Sequence, residues 1–584
     1  MKPKNNSSFF NALFVDFRHI GFVERIEGVI DRLSPSEKIF FWILCIIFVV
    51  SSVTIVREVN ESFLVEVPGY GGSWSEGLLG SPRFINPVLS ISPTDKDLAT
   101  LVYAGLLKNA RETTVVPELA QSYEVSEDGL VYDVVLRDGL FFHDGKPLTS
   151  DDVIFTIEKT LDPVIKSPER ASWEGIVVEK VSDKELRFIL KKPFSDFKKT
   201  LTLGILPKHI WQSVTPEEFP FSQLNLDPIG AGPYRIKNIK RNSGGIPTSI
   251  TLESFKKYAL GRAKIDTLSL YFFQNEIEMW NAFKDASVES VAGLSSTLGE
   301  EARSMGKSVS PTTLPRIFGV FFNQNIAPVF LNKEVRNALD LAAPKQKIIT
   351  EVLHSFGSAL GSAIPGESVE RELSDEESLG KAREILADAG WKANADSILE
   401  KKTKSGTTLL AFSISTSDNQ ELTQTAEILR QTWQSLGAAV DVKVFSASDL
   451  NQNVIRPRKY DALLFGEVVQ SESDLYAFWH SSQRNDPGLN IAMYANITAD
   501  KLLEDMQRES ELSSLEAKRD LLLQEIEKDI PAVFLFSPNF IYIPAPQIKN
   551  ISLDRVATQS ERWTDVSNWF IETDKVWKFF APTN

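Results

Sequence analysis

The most apolar stretch of the chain lies near its N-terminus, at residues 39–56 (IFFWILCIIFVVSSVTIV), and contains no charged side chain. A helix rises about 1.5 Å per residue, so this stretch would span about 27 Å, close to the hydrocarbon thickness of a bilayer. The pattern predicts one transmembrane helix. A buried core helix and a cleaved signal peptide are the alternatives, although the 38 residues before the stretch exceed the short charged region with which a signal peptide begins.

Residues 1–38 form a tail with helical periodicity. Its apolar residues recur at i, i+3, i+4 and i+7 in two sets, which are Phe10, Leu13, Phe14 and Phe17, then Ile26, Val29, Ile30 and Leu33. This spacing predicts one or two amphipathic helices, lying on the inner membrane face or packing on a membrane partner. The tail is rich in Lys and Arg, whereas Glu58, Glu61 and Glu66 follow the apolar stretch. The positive-inside bias therefore predicts a single-pass protein of the cell membrane with a cytoplasmic N-terminus and an extracytoplasmic body.

Beyond residue 80, helical and strand patterns alternate. Amphipathic helices are predicted at 151–160, opened by Ser150 or Asp151, and at 378–390 and 420–436, which end at Gly390 and Gly437. Strands are predicted at 131–136, 186–190, 408–414 and 439–445. Strand–helix–strand order predicts an α/β fold with right-handed crossovers and largely parallel strands.

Composition narrows the function classes. Hydrophobic residues make up 42% and charged residues 24% of the 584 residues, which is typical of a globular protein with a large core. The net charge of −15 argues against a nucleic-acid-binding surface. A single cysteine, Cys45, excludes internal disulfides, and five histidines leave little for a metal site. We expect no metal and no cofactor.

The sequence contains no recognisable catalytic motif. His143 and Asp144 could form half of a catalytic dyad, but the stretch HDGKP is better explained as a turn, and so is the glycine pair in IGAGPY at 229–234. His480 has no second ligand nearby, which favours a structural role. Glu467, Glu472 and Asp474 follow the strand-like stretch YDALLFG at 460–466 and either attract a cationic group or form a solvated loop.

Several stretches, taken in order, resemble the extracellular solute-binding proteins of peptide and nickel ABC importers. They are DLATLVYAGLL at 97–107, the long stretch from VPELAQSYEVSEDG to TSDDVIFTIE at 116–158, IGAGPYRI at 229–236, VFFNQNIAPVFLNKEVRNALDLA at 320–342, DEESLGKAREILADAGW at 375–391, YDALLFG at 460–466, FWHSSQ at 478–483, and GLN and MY between 488 and 494. Each motif alone is weak, and their common order makes the resemblance strong.

The resemblance implies a two-lobed α/β clamshell of the periplasmic-binding-protein type (type II, cluster C) with an inserted extra subdomain. The residue pattern itself predicts the tail at 1–38, the anchor at 39–56 and a tether that begins at 57. The resemblance adds the start of lobe I by residue 80, lobe I at 81–322 with the insert at about 90–200, lobe II at 323–537, and a return to lobe I at 538–584. The lobes would be joined by a hinge at Phe322, Asn323, Phe536 and Ser537.

Ligand-binding residues are also implied by the resemblance. The set comprises Asn323, Gly466, Glu467, Val468, Gln470, Glu472, Asp474 and Trp479. Many members of this family pair the α-ammonium of a peptide with an aspartate in the loop after the YDALLFG-type strand, but here that position carries the neutral Gln470, and Glu467 stands where a tryptophan is usual. Either a neighbouring acid takes over this role, or a free peptide N-terminus is not required.

The function implied is capture of peptides outside the membrane and delivery to the permease of an ABC importer, without catalysis. Another solute, such as a nickel chelate or an oligosaccharide, remains an alternative within the same fold. A ligand sensor that signals through the tail is the alternative from another class, and an extracytoplasmic hydrolase is a third.

Overall fold

The structure is a computed structural model that describes residues 28–30, 32–110, 115–193, 197–365, 373–403, 406–509, 511–553 and 556–580. It contains two compact units, which we call the terminal unit (Met1–Pro68 with Thr573–Asn584) and the body (Gly69–Glu572). Most of the predicted amphipathic tail, including Phe10 to Phe17, lies outside the described residues.

The strands are numbered in chain order. The first twelve are β1 (Leu64–Pro68), β2 (Ser73–Leu79), β3 (Leu107–Asn109), β4 (Val115–Pro117), β5 (Ala120–Val125), β6 (Val131–Leu136), β7 (Ile176–Lys180), β8 (Glu185–Leu190), β9 (Tyr234–Arg241), β10 (Pro247–Ser254), β11 (Thr267–Phe273) and β12 (Ser290–Ala292). The others are β13 (Ser310–Thr313), β14 (Arg316–Phe322), β15 (Gly357–Ala359), β16 (Lys392–Ala393), β17 (Leu399–Thr403), β18 (Gly406–Leu409), β19 (Ala411–Ser417), β20 (Ala439–Phe445), β21 (Ala462–Val468), β22 (Ala532–Ile543) and β23 (Thr573–Trp577).

The longer α-helices in the described part of the chain are Pro35–Ser62, Pro93–Val102, Ser150–Leu161, Glu276–Lys284, Ser296–Ser304, Lys333–Ala342, Lys345–Glu351, Asp375–Asp388, Gln420–Ser435, Glu472–Trp479, Ile497–Arg508 and Leu512–Asp529. The shorter ones are Arg170–Trp173, Phe197–Thr200, Lys208–Trp211 and Ala447–Asp449, which continues into a π-helical segment, Leu450–Ile455.

The helix Pro35–Ser62 contains the predicted apolar stretch. Within the described residues it is the one helix that is long and apolar enough to cross a membrane. Ser34 and Glu37 form a capping box at its start, with the Ser34 N–H donating to Glu37 Oε2 at 2.8 Å. The helix ends at Ser62, and β1 follows and pairs antiparallel with β23. The segment 57–80, predicted as a tether, therefore consists of the helix end, β1 and β2.

The body is built on a mixed sheet in the order β20-β19-β21-β14-β22-β12-β2-β11-β10-β9, with β13 and β15 also pairing with β22. Pairs of β19 with β20 and β21, and of β2 with β11 and β12, are parallel, while β14 pairs antiparallel with both neighbours. The prediction of largely parallel strands is therefore wrong, because β9 to β11 and the pairs around β14 and β22 are antiparallel.

Strand β22 divides the sheet into two lobes. Its first residues, Ala532–Phe536, pair with β14, and its last residues, 539–543, pair with β12 and β13. We call lobe I the part built on β2 and β9 to β13, and lobe II the part built on β14, β15 and β19 to β21. Lobe I also carries a four-stranded sheet, β5-β6-β8-β7, with its own core. This sheet lies within residues 90–200, where the sequence analysis predicts an inserted subdomain.

The chain passes between the lobes at two adjacent points. The second passage is at Ser537 and Pro538 and shares Ser537 with the predicted pair Phe536 and Ser537. The first passage is at Leu314 and Pro315, between β13 and β14, and not at Phe322 and Asn323. The two passages touch, because the Ser537 hydroxyl donates to Leu314 O at 2.7 Å and the Leu314 N–H donates to Pro538 O at 3.2 Å.

Phe322 and Asn323 lie inside lobe II. Phe322 pairs with Ala462 of β21, and both Phe322 and Asn323 are fully buried. The Asn323 amide donates to Arg458 O at 3.0 Å. Strands β13 and β14 are separated by only two residues, so no loop marks the connection between them.

The His143 side chain is hydrogen-bonded to the backbone of the glycine turn at 230–232. Its Nε2 lies 3.1 Å from Gly232 O, and its Nδ1 accepts from the Gly230 N–H at 3.3 Å. Burial lowers the pKa of His143 to about 4, so the ring is neutral at pH 7. A Cβ at Gly230 would lie 2.1 Å from Val102 O. The stretch is thus a tight turn, as the sequence predicts.

A buried ion network joins three distant segments of lobe I. Arg562 donates to Asp97 Oδ1 and Oδ2 at 2.8 and 2.9 Å and to Glu76 Oε1 at 2.7 Å, and all three side chains are fully buried. Tyr542 and Ser290 hydroxyls donate to Glu76 Oε2 at 2.9 and 3.0 Å. One guanidinium thus serves two carboxylates, and burial together with the neighbouring Asp97 raises the pKa of Glu76 while Arg562 opposes the shift.

Candidate ligand-binding cleft

Two neighbouring cavities lie between the lobes of the body. The larger has a volume of about 940 Å³ and the smaller about 310 Å³. Lys96, Thr558 and Ser560 of lobe I line both cavities, so they form two parts of one cleft.

The larger cavity has walls from both lobes. Lobe I contributes the starts of the helices Pro93–Val102 and Ser296–Ser304, and lobe II contributes Arg316, Phe318 and the start of the helix Gln420–Ser435. Each helix begins at a capping side chain, for example Asn419, whose Oδ1 accepts from the Leu422 N–H at 3.1 Å. Three helix N-termini therefore direct their positive ends toward this cavity, which favours oxygen acceptors and negative charge on a ligand.

Two cations of the larger cavity lack an acidic partner within the described residues. Arg316 begins β14, and Lys96 lies in the first turn of its helix. Arg316 is exposed to the cleft, yet the surrounding protein removes enough water to lower the pKa of its guanidinium. No described hydrogen bond or ion pair involves either side-chain nitrogen group. Both are therefore available to a ligand.

The smaller cavity contains a buried hydroxyl without a partner. Tyr103 is 3% exposed, and its Oη makes no hydrogen bond within the described part of the chain. A buried polar group left unpaired is costly, so this hydroxyl is suited to bonding a ligand or a water molecule. Glu118, Lys199 and Gln470 line the same cavity.

Direct hydrogen bonds connect the lobes beside the cleft. The Ser296 hydroxyl of lobe I donates to Glu421 Oε1 at 2.7 Å in lobe II. Lys199 Nζ lies 3.5 Å from Gln470 O, across the smaller cavity. The two lobes are thus close enough for one ligand to contact both.

This arrangement can be compared with known proteins. The family model described as "Bacterial extracellular solute-binding proteins, family 5 Middle" matches residues 114–487, more than half of the chain. The chain belongs to this family. The resemblance to the solute-binding proteins of peptide and nickel importers and the two-lobed fold are confirmed.

Individual relatives of this family 5 protein bind different solutes. The oligopeptide-binding protein AppA of Bacillus subtilis is 29% identical over 488 residues, covering 81% of this chain and 87% of the relative. The nickel-binding protein NikA of Staphylococcus aureus is 20% identical over 475 residues, covering 79% and 88%. The structure of Bacillus subtilis AppA in complex with a nonapeptide matches with a TM-score of 0.66 at 26% identity, covering 87% of this chain and all of that one. NikZ of Campylobacter jejuni in complex with Ni(L-His) matches with a TM-score of 0.67 at 23% identity, covering 85% and 99%.

Two of the predicted acidic side chains, Asp474 and Glu467, make contacts inside lobe II. Asp474 Oδ2 accepts from the N–H groups of Gln470 and Ser471 at 2.8 and 3.0 Å, and so caps the helix Glu472–Trp479. Glu467 is buried on β21. Burial raises its pKa well above the usual range, with Arg458 opposing the shift. The Glu472 side chain lies outside the described residues, and Gln470 lines the smaller cavity.

The other predicted ligand residues have different positions. Trp479 is fully buried and packs edge-on against Tyr494 and Phe534 in the core of lobe II. Asn323 lies in the buried turn after β14. Val468 is exposed and stands opposite Arg316 in the β14–β21 register.

Gly466 does not line the larger cavity itself but packs against Phe318, which does. A Cβ at Gly466 would lie 2.6 Å from Cε1 of Phe318, and Phe318 stacks on Phe536 with ring centroids 5.1 Å apart. Phe318 and Phe536 both line the larger cavity. We call this stacked pair, Phe318 and Phe536, the aromatic floor of the larger cavity. Only a glycine at position 466 leaves room for it.

Several cleft residues were not predicted from the sequence, namely Lys96, Tyr103, Arg316, Phe318, Ser417 and Asn419. Two helix starts could have been predicted from capping patterns in the sequence. Ser92 caps the helix at Asp95, and Asn419 precedes an amphipathic helix. Nothing in the sequence indicates that these starts converge, because they come from different lobes.

We expect Glu118 to make the stability of the body depend on pH. Burial raises its pKa to about 7. Hydrogen bonds donated by Tyr258 Oη at 2.5 Å and by the Gly105 N–H at 3.0 Å act in the opposite direction and lower the pKa. Between about pH 4.5 and pH 7 the folded state keeps a proton that the unfolded state loses. The contribution to stability is therefore full below the unfolded pKa and is lost as the pH rises through about 7.

Denaturant unfolding of the full chain in detergent, measured across this pH range, tests the expectation. Glu118→Gln should flatten the fall in the free energy of unfolding, while Glu124→Gln, an exposed residue on neighbouring β5, should keep the wild-type slope. Equal slopes for wild type and Glu118→Gln would contradict it.

Proposed function

We propose that this family 5 protein binds peptides in the cleft between its lobes and passes them to an ABC importer in the same membrane. The observation that carries the proposal is a set of cleft donors that have no protein partner among the described residues, namely Arg316, Lys96 and the Tyr103 hydroxyl. A peptide supplies carbonyl oxygens along its length and a carboxylate at its end, and these are the acceptors that such donors bind.

The size of the cleft and an open strand edge support the proposal. The larger cavity alone, at about 940 Å³, lies near the upper end of the range of about 300–1,000 Å³ for small-ligand sites. Strand β21 pairs with β19 only at Ala462 and Leu463, so within the described residues its later part has no strand partner on that edge. Ser417 and Gln470, at the ends of β19 and just beyond β21, line the two cavities. An extended peptide can add to such an edge through its backbone, which tolerates varied side chains.

The curated relatives favour peptides over other solutes. Besides AppA, the dipeptide-binding protein of Escherichia coli is 26% identical over 446 residues, covering 68% of this chain and 80% of the relative. A nickel chelate remains the second solute class because NikA is also similar. However, no group of three or more potential metal ligands occurs among the described side chains.

Within this proposal the lobes close by rotation about the two touching passages. Leu314 and Pro315 form one and Ser537 with Pro538 the other, in place of the Phe322 and Asn323 pair. A ligand that bonds both lobes favours the closed state by its differential affinity.

The helix Pro35–Ser62 is proposed to remain as a single-pass anchor with the N-terminus in the cytoplasm. The body would then stay outside the membrane at a high effective concentration near the permease. Gln470 in place of the family's aspartate implies that a free peptide N-terminus contributes little to affinity.

Mass spectrometry of molecules released on denaturation of the full chain, purified in mild detergent, tests the function. We expect peptides of several sequences, and synthetic copies should bind the emptied protein. Recovery of only a nickel chelate or an oligosaccharide, with no binding of peptides, would overturn the proposal.

Arg316→Gln provides a residue-level test. Loss of a charge-assisted hydrogen bond worth about 1.5 kcal/mol lowers affinity about tenfold. Titration calorimetry with the recovered peptides measures this, and Arg187→Gln, an exposed arginine on β8, is the control that should bind like wild type. Equal affinities for Arg316→Gln and wild type would remove Arg316 from the site.

A further inference from the structure

The terminal unit carries a group of exposed aromatic side chains, which we call the aromatic collar. It comprises Phe63, Trp577, Phe579 and Phe580, which are 56%, 52%, 90% and 72% exposed. Large aromatic side chains are rarely left together in water without a partner surface. The peptide-binding function assigns no role to this group.

The collar is fixed to the outer end of the helix Pro35–Ser62. Trp577 Nε1 donates to Asn60 Oδ1 at 3.0 Å, and the rings of Phe63 and Trp577 stack with centroids 6.4 Å apart. The Lys578 N–H donates to Phe63 O at 2.9 Å. Strand pairing of Leu64 with Trp577 continues the connection. The C-terminal strand and its aromatic residues are therefore held at the helix end.

The position of the collar along the helix matches the headgroup layer of a bilayer. The apolar stretch ends at Val56, and Asn60 follows four residues later, which at 1.5 Å per residue is about 6 Å beyond it. A headgroup layer is about 5–8 Å thick on each side of the hydrocarbon. Trp577, bonded to Asn60, would lie in that layer when the helix crosses the membrane.

The residue types of the aromatic collar are those expected in a headgroup layer. Tryptophan and tyrosine are enriched at membrane interfaces because an apolar ring is combined with a polar group. Trp577 has this character, and Phe579 and Phe580 pack edge to face, 5.4 Å apart, as a purely apolar pair. The charges on the same segments are almost balanced, with three basic residues (Arg57, Lys575 and Lys578) and four acidic residues (Glu58, Glu61, Glu66 and Asp574). The surface thus fits a zwitterionic lipid interface and does not depend on anionic lipid.

We infer that the aromatic collar binds the lipid headgroup layer and holds the C-terminal strand on the outer membrane surface beside the anchor helix. This inference rests on the proposed anchor, but not on peptide binding. Because both chain ends of the body, Gly69 and Glu572, continue directly into the paired strands β1 and β23, the body would be attached to the membrane through two segments of chain.

Depth measurement by spin labelling tests the inference with the full chain in phosphatidylcholine nanodiscs. In a Cys45→Ser background, a nitroxide is attached at Phe579→Cys, or at Glu127→Cys, an exposed position of the body, as the control. Oxygen concentrates in lipid and a nickel chelate stays in water. We expect the ratio of oxygen to nickel collisions to be severalfold higher at 579 than at 127, and unchanged by added salt.

Equal ratios at the two positions would overturn the inference, and so would failure of the chain to enter nanodiscs. Protection of position 579 only when permease is added would also overturn it, in favour of a protein contact. Peptide binding by the same labelled samples is measured in parallel, so that a failure of the proposed function is seen separately.

Discussion

Replacement of Arg562 by methionine is expected to lower the free energy of unfolding of the body by about 3–5 kcal/mol, because removing one partner of a buried ion pair leaves the other charge uncompensated. Here two carboxylates, Glu76 and Asp97, would be left without their cation, and both are fully buried. Chemical unfolding of the full chain in detergent, followed by tryptophan fluorescence, measures the loss.

Two further variants separate this mechanism from a simple loss of packing. Neutralising the carboxylates as well, in Glu76→Gln/Asp97→Asn/Arg562→Met, should recover part of the stability, since no buried charge then remains. Arg187→Met breaks an exposed pair with Asp133 and should cost about 1 kcal/mol or less. A loss no greater for Arg562→Met than for Arg187→Met would show that the network contributes little.

The network also supports the cleft. Asp97 follows Lys96 on the helix Pro93–Val102, and Gln559, whose Nε2 donates to Asp97 Oδ2 at 3.0 Å, lines the larger cavity. We therefore expect Arg562→Met to weaken ligand binding through movement of this helix, although Arg562 itself does not line the cleft in the described part of the chain. The same side chains thus link the stability of lobe I to the geometry of its binding wall.

Regular elements of the body were predictable because their patterns are local. Helices predicted at 378–390 and 420–436 are Asp375–Asp388 and Gln420–Ser435, and Gly390 and Gly437 take positive φ values of 87° and 102° at their ends. The helix predicted at 151–160 is Ser150–Leu161, with Thr149 rather than Ser150 or Asp151 as its N-cap. Such differences at helix ends are small because neighbouring polar residues can all cap.

The cleft was less predictable because its residues meet only in the folded chain. Asp474 is a charged residue after a strand, which suggests a ligand-binding role. The pattern Ser471-x-x-Asp474 is also a capping box, and in the structure Asp474 caps its own helix. Glu467 has the same orientation along β21 as the buried Leu463 and differs from it by an even number of residues. Alternation along the strand was thus a usable signal for burial of Glu467. The position of Arg316 in the cleft, by contrast, depends on how the two lobes pack together.

Replacement of Gly466 by alanine is expected to lower both stability and ligand affinity. The added Cβ would lie 2.6 Å from Cε1 and 2.7 Å from Cζ of Phe318, and such overpacking typically costs about 1–3 kcal/mol. Phe318 cannot move toward Phe536, on which it already stacks at an interplanar angle of 17°. The ring must therefore shift into the larger cavity, where it would exclude part of a ligand.

We expect a tenfold or larger loss of affinity, equivalent to about 1.4 kcal/mol, measured by calorimetry with peptides recovered from the wild-type protein. Gly380→Ala is the matched control. A Cβ at Gly380 has no neighbour within 4 Å, and alanine within a helix should add about 1 kcal/mol of stability without changing affinity. Gly466→Ala combined with Phe318→Leu should restore part of the binding, because the smaller side chain makes room for the new methyl group. If Gly466→Ala binds as tightly as wild type despite lower stability, the aromatic floor does not shape the ligand site, and the ligand must lie in the smaller cavity around Tyr103.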